Sequence, residues 1–187
     1  MRKNYPGIPT RAVLACLFAA LCCAGAYISI PIPISPVPLA LTNLFAVLGG
    51  LLLGPLWGAL SALAYVMIGS LGFPVFSGGH GGLAYLAGPT GGYLIGYIIA
   101  AFLAGLVGRK GLGVFLILGA ALGFASILIV GALGLTLING IDLGRSLAIG
   151  VLPFIPLDTL KAILAVIIAR NLRRFVQSLT ARDDARD

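Results

Sequence analysis

Asp158 and Lys161 stand three residues apart in Pro153-Phe154-Ile155-Pro156-Leu157-Asp158-Thr159-Leu160-Lys161, a pair of opposite charges inside an otherwise apolar segment. Three residues make about one helical turn, so both side chains project from one face. Pro153 and Pro156 disturb the backbone just ahead of them and free carbonyls that need a polar setting. An acid near a helix start also gains from the positive end of the helix dipole. The pair is conspicuous because residues 12–108 carry no charge at all. Ionisable groups at membrane depth are expensive and face a bundle interior or a polar cavity. Two readings stand: a self-neutralising pin between helices, or a contact to a ligand. The second is favoured, since desolvation offsets much of what a buried pair gains in stability.

Two further features accompany the pair. Gly78-Gly79-His80-Gly81-Gly82 is a loop whose backbone can approach a ligand closely and aim amide groups at it. Its bland alternative is a flexible linker, against which stands the ordered segment that follows, with Tyr85, Gly88, Pro89, Thr90, Gly91, Gly92 and Tyr93. His80 has equal claims as a loop hydrogen-bonder and as a ligand contact. Asn43, beside Thr42, is the only amide in the first three apolar segments and must find partners when buried. Its partners are either a neighbouring helix or a ligand. No nucleophile stands with a base, and no carboxylate pair, metal cluster or Walker pattern occurs, so nothing supports catalysis, a metal or nucleotide hydrolysis. Cys16, Cys22 and Cys23 share one segment and read as small apolar residues.

The elements that position these groups are membrane helices. Hydrophobic residues make up 60% of the chain and charged residues 9%, against roughly a quarter in soluble domains. Gly and Pro divide the apolar tract into six expected spans, at about residues 12–30, 39–53, 56–72, 93–107, 114–138 and 146–169. The predicted fold is therefore an all-α membrane protein, one domain over residues 1–187, with a disordered tail from about 175 to 187. The first span with Ala24-Gly25-Ala26 has the form of a cleavable signal, but its apolar run continues through Ile28 and Ile30, which favours a retained helix.

The formal charge of +7 does not indicate nucleic acid, because the basic residues flank apolar segments rather than covering a face. Arg2, Lys3 and Arg11, then Arg109 and Lys110, then the Arg-rich end from Arg170 fall on one side, which the positive-inside rule makes cytoplasmic together with both termini. The Pro-rich loop 31–38 and the Gly-rich loop then lie outside. Arg145 is the one outward basic residue, and Asp142 three positions earlier can offset it. The pair, the glycine loop and Asn43 thus converge on the outer side, as a small-molecule pocket requires. In the first span Ala15 and Ala19, then Ala20 and Ala24, repeat at spacing four, a pattern for close helix approach, whether inside the bundle or to a partner.

Together, the glycine loop, the stretch Tyr85-Leu86-Ala87-Gly88-Pro89-Thr90-Gly91-Gly92-Tyr93 and the Pro153-to-Ala162 segment resemble the BioY family, the biotin-binding S-components of energy-coupling factor transporters. The similarity spans essentially the whole chain. It implies a six-helix membrane subunit that binds biotin and performs no chemistry, holds no cofactor, and docks on a transmembrane coupling protein and two ATPases in a bacterial or archaeal cell membrane. It assigns partner docking to Ala15 and Ala19. It assigns ligand contact to Asp158, Lys161, Thr42, Asn43, Gly79, His80 and Gly81, with Tyr85 and Tyr93 in the lining. Asp158 would accept from the ureido N–H groups and Lys161 donate to the ureido carbonyl, although the reverse orientation, with Lys161 on the carboxylate, stays open. Two departures stand out: some relatives carry Asn in place of His80 and a basic residue in place of Leu94. An S-component for thiamine or riboflavin, and a channel or structural subunit, are the alternatives.

Overall fold

The computed structural model describes residues 10–110 and 113–184, with side chains described through residue 180. Its elements in chain order are α1 (Thr10–Tyr27), β1 (Ser29–Ile30), β2 (Leu39–Ala40), α2 (Thr42–Leu53), α3 (Pro55–Ser70), α4 (Leu83–Leu86), α5 (Gly91–Gly108), α6 (Gly113–Leu137), α7 (Leu143–Gly150) and α8 (Ile155–Asp184). Helices α1, α5 and α6 are long and apolar enough to cross a membrane, and α7 with α8 makes a fourth crossing if the bent pair is one span. Helices α2 and α3 are apolar but shorter, at 12 and 16 residues. The chain is an all-α, multi-pass membrane protein.

The prolines shape the connections. Between α2 and α3, Gly54 adopts φ +84° and Pro55 opens the next helix, where a missing N–H is no loss. The Pro-rich loop is tied at its base by a two-residue antiparallel ladder, Ser29 to Ala40 and Ile30 to Leu39. Pro153 and Pro156 do more than disturb the expected sixth span. They split it into α7 and α8, bent by 55° across residues 151–154. Pro156 is the second residue of α8, and the break delivers Asp158 to that helix's first turn.

One expectation is corrected at the far end of α8. The segment from 175 is not a disordered tail: the helix continues to Asp184, and of this segment 185–187 lie outside the described residues. Extending an existing helix needs no new nucleus. Val176 is buried against the core, and the Arg173 guanidinium donates to the carbonyls of Gly108 and Arg109 at 2.8 and 2.9 Å. A polar composition concealed these two anchors. At the other loop, Asp142 lies beside Arg145 but serves as the N-cap of α7, accepting from the backbone N–H groups of Gly144 and Arg145.

Hydrocarbon does not drive apolar helix surfaces together, so this bundle is held by close backbone approach. A Cβ on Gly50 of α2 would sit 2.1 Å from the Ala101 carbonyl oxygen of α5, and one on Gly58 of α3 would sit 2.5 Å from Gly50 Cα. Large apolar side chains such as Leu17, Ile99, Leu118 and Ile163 point outward, while Thr42, Asn43, Ser61, Asp158 and Lys161 are buried. Arg11, Arg109 and Arg173 gather at one end of the bundle, and the Pro-rich and Gly-rich loops share a cleft with each other away from those residues. Gly50→Ala forces α2 away from α5 and should destabilise the protein by ~1–3 kcal/mol, the usual range for overpacking. Gly113→Ala, with open space around its Cβ position, should leave stability unchanged or slightly raised. Thermal unfolding of both variants in one detergent checks this, and equal melting temperatures would contradict the tight α2–α5 contact.

Candidate functional site

Asn43, on the first turn of α2, meets Asp158 and Lys161 at the start of α8. Asp158 Oδ1 accepts from Asn43 Nδ2 at 2.9 Å and from Lys161 Nζ at 3.3 Å. Lys161 Nζ also donates to Asn43 Oδ1 at 3.0 Å and to the Ala40 carbonyl of β2 at 2.8 Å. The three groups are only 7%, 3% and 4% exposed, in the order Asn43, Asp158 and Lys161. An ammonium has three N–H donors, and here three acceptors take them. The other carboxylate oxygen, Asp158 Oδ2, is buried with no hydrogen-bond partner. Buried polar atoms are almost always paired. The unmet capacity of the cluster is therefore an acceptor, and it calls for an N–H or O–H donor. A ligand carbonyl reaching for Lys161 would have to displace Ala40, Asn43 or Asp158.

Asp158 and Lys161 line a cavity together with Val37, Pro38, Tyr93 and Phe154. Its volume is about 10 Å³, room for roughly one water molecule. Tyr93 donates to the Gly150 carbonyl at 2.6 Å, which fixes its ring over the break between α7 and α8. Tyr97, one turn further along α5, lines the same cavity. Sequence reasoning missed Tyr97 and Phe154. Aromatic residues in apolar runs resemble ordinary lining, and only their spacing from Tyr93 and Asp158 could have marked them.

The glycine loop belongs to a second, larger cavity. Gly78 and Gly79 adopt φ +77° and +75°, which lets the chain turn back so that Phe76 N–H donates to the His80 carbonyl at 2.9 Å. Phe76 is fully buried, and its ring occupies a notch that any Cβ on Gly69 of α3 would fill. The loop is an ordered hairpin, not a linker. The Tyr85 ring stacks on Phe76 at 5.1 Å and on His80 at 5.4 Å. Burial pushes the Tyr85 hydroxyl above its ordinary value, with Thr90 pulling the other way, so it stays neutral at physiological pH. His80 and Tyr85 line a cleft of about 570 Å³ that faces the Pro-rich loop. Pro38 lines both cavities and stands as the partition between them.

Three expected site residues fall elsewhere. Thr42 is fully buried, and its hydroxyl donates to the Cys22 carbonyl, tying α2 to α1 away from the Asp–Lys cluster. Ala15 and Ala19 are 7% and 3% exposed, and Ala19 packs with Cys22, Ala46 and Tyr65. Ala15 and Ala19 thus lie against the bundle rather than on the exposed face of α1. Ala20 and Ala24, the second pair at the same spacing, are exposed along with Cys16. Among the described residues, no three His, Cys, Asp or Glu side chains gather to hold a metal ion.

Fold and site together define a helical membrane protein with a buried, asymmetric polar cluster under two ordered loops. The chain belongs to the BioY family, whose sequence model matches residues 1–178. It is 46% identical over 160 residues to a probable biotin transporter BioY of Pyrococcus horikoshii, covering 86% of this chain and 94% of that one. It is 38% identical over 164 residues to the biotin transporter BioY of Thermotoga maritima, covering 87% and 95%. Among solved structures it matches the S-component for biotin from an ECF-type ABC transporter with a TM-score of 0.82 and 34% identity, covering 88% of this chain and 91% of that chain. Its kin are transporters, not enzymes.

Removing one member of a buried pair leaves the other charge uncompensated, so Lys161→Met should cost about 3–5 kcal/mol of stability. The double replacement Asp158→Leu with Lys161→Met should recover most of that loss. Thermal unfolding of the single and double variants tests the pairing; losses that simply add would show that the two side chains do not depend on each other.

Proposed function

We propose that this chain is a biotin-binding S-component, the membrane subunit that captures the vitamin outside and hands it to an ATP-driven module. The observation that carries the reading is the unpartnered, buried Asp158 Oδ2 in a chain similar along most of its length to a biotin S-component. Biotin presents a planar ureido group with two N–H donors, an apolar ring and chain, and a terminal carboxylate. A ureido N–H on Asp158 Oδ2 supplies the missing bond, and Tyr93, Tyr97 and Phe154 offer apolar faces to the ring. Because Lys161 already donates to three acceptors, the ring-inward orientation is favoured over one with the carboxylate at Lys161. The tail would then extend past Pro38 into the outer cleft beside His80 and Tyr85.

Small-molecule pockets usually measure about 300–1,000 Å³, and the inner cavity is far smaller. In this reading the Pro38 partition moves outward, joining the inner cavity to the 570 Å³ cleft. The ladder at the loop's base is only two residues per strand, a weak tie, and the movement must also draw Val37 out of the core. In this reading the chain makes six crossings of the cytoplasmic membrane with both termini inside, which the gathering of Arg11, Arg109 and Arg173 at one end supports. A transmembrane coupling protein with two ATPases would supply the energy. The exposed stripe of Cys16, Ala20 and Ala24 on α1 is the better candidate for docking on it.

Titrating biotin into the detergent-purified subunit and pulling down the coupling module from the same samples tests both halves. Wild type should bind one biotin per chain with saturation. Asp158→Ala should weaken binding by ~2–4 kcal/mol, since it removes an acceptor and leaves Lys161 unpaired. Ala20→Trp with Ala24→Trp should keep affinity within about threefold and lose the coupling protein, as bulky rings hold a partner helix away. A folded wild-type subunit that takes up no biotin would end the proposal, and full assembly by the tryptophan variant would end the docking assignment.

A further inference from the structure

The end of the bundle away from the two loops holds a chamber of about 380 Å³ that the biotin reading does not use. Four separate parts of the chain line it: Arg11 from α1, the α2–α3 turn through Trp57, Arg109 from the turn after α5, and Arg173, Gln177 and Thr180 from α8. No Asp or Glu occurs among the described residues of its lining. The Arg173 guanidinium is held in place by the carbonyls of Gly108 and Arg109, neutral acceptors that orient the group without cancelling its charge. Helix α3 begins at this chamber without a side-chain cap, adding the positive end of its dipole to the same field. Guanidinium groups match the geometry of phosphate oxygens, and planar paired recognition is what they do best.

The rest of the lining is apolar. Leu51, Leu53, Leu56 and Trp57 contribute a floor and rim, and Leu56 is 63% exposed at the surface. A bare ion has no use for such a floor, whereas an amphiphile does. Trp is the side chain that best suits the boundary between headgroups and hydrocarbon, and basic pockets between helix ends on the positively charged side of a membrane protein are suited to anionic headgroups.

We infer that this chamber binds the phosphodiester of an anionic phospholipid such as phosphatidylglycerol, with Arg109 and Arg173 on the phosphate and Leu56 and Trp57 against the glycerol and upper acyl chain. A zwitterionic headgroup fits worse, because its ammonium would sit among guanidinium groups. Such a lipid would clamp the α2–α3 turn, the α5–α6 turn and α8 together at the end of the bundle opposite the biotin reading's site.

Trp57 is the only tryptophan in the chain and lines this chamber, so its fluorescence reports on lipid at or beside it. The full-length protein is reconstituted into phosphatidylcholine bilayers with graded fractions of phosphatidylglycerol brominated on its acyl chains. Quenching should saturate at a low phosphatidylglycerol fraction, with at least a tenfold preference over brominated phosphatidylcholine. Arg109→Gln with Arg173→Gln should reduce that preference to near unity. Arg109→Gln alone, which leaves the Arg173 contacts on the end of α5 in place, should cut it at least threefold. Arg170→Gln with Arg174→Gln removes the same charge from α8 outside the chamber and should change it less than threefold. Millimolar glycerol 3-phosphate should not relieve the quenching. Equal quenching by both lipids, equal loss in the Arg170/Arg174 control, or displacement by glycerol 3-phosphate would each overturn the assignment, the last by making the ligand a free phosphate ester.

Discussion

The saturation of the Lys161 ammonium is the constraint on which the site depends. Its three donors go to Ala40 on β2, Asn43 on α2 and Asp158 on α8, so one side chain joins the Pro-rich loop to two helices. Because Lys161 and Asn43 both bond Asp158 Oδ1, they leave Oδ2 unmatched. In a low-dielectric setting a lone acceptor of this kind is costly, and a donor that reaches it is bound correspondingly well. The cluster that ties the helices together is thus the same cluster that leaves a buried acceptor open. In the proposed function the carboxylate serves both roles, Oδ1 tying the helices and Oδ2 open to a ligand donor.

The bilayer sets the remaining architecture. Where hydrocarbon covers the outside, helices associate by backbone proximity, and Gly50, Gly58 and Gly105 permit it among α2, α3 and α5. The two loops at one end of the bundle are held in different ways. The glycine loop is anchored by Phe76 in its notch and by stacked rings, whereas the Pro-rich loop is tied by a two-residue ladder, by Val37 in the core and by Lys161 on Ala40.

Much of this was legible in the residues. A charged pair inside an uncharged apolar chain can only be internal, and Asn43 follows because a lone amide needs a partner. Membrane class and the division by Gly and Pro follow from composition and backbone chemistry. What stayed hidden depends on tertiary packing. Ala15/Ala19 and Ala20/Ala24 obey the same spacing, and only the burial of Phe18 and Cys22 decides which pair turns inward. Thr42 sits beside Asn43 in sequence, yet helical geometry aims it at α1. The prolines before Asp158 were visible, but not that they would part the span into two helices. Charge in the last segment hid its helix, since Val176 and Arg173 find their partners far away in the chain.

The most direct test of the account is a chemical double-mutant cycle on the unmatched oxygen. Affinity is measured for biotin and for an analogue with both ureido N–H groups methylated, in wild type and in Asp158→Ala. Methylation should weaken binding to wild type about a hundredfold or more, as expected when a buried acceptor is left unpaired, and far less in the variant, so that the two changes are strongly coupled. Equal losses in both proteins would show that Asp158 does not receive the ureido donors, and the central claim would fail.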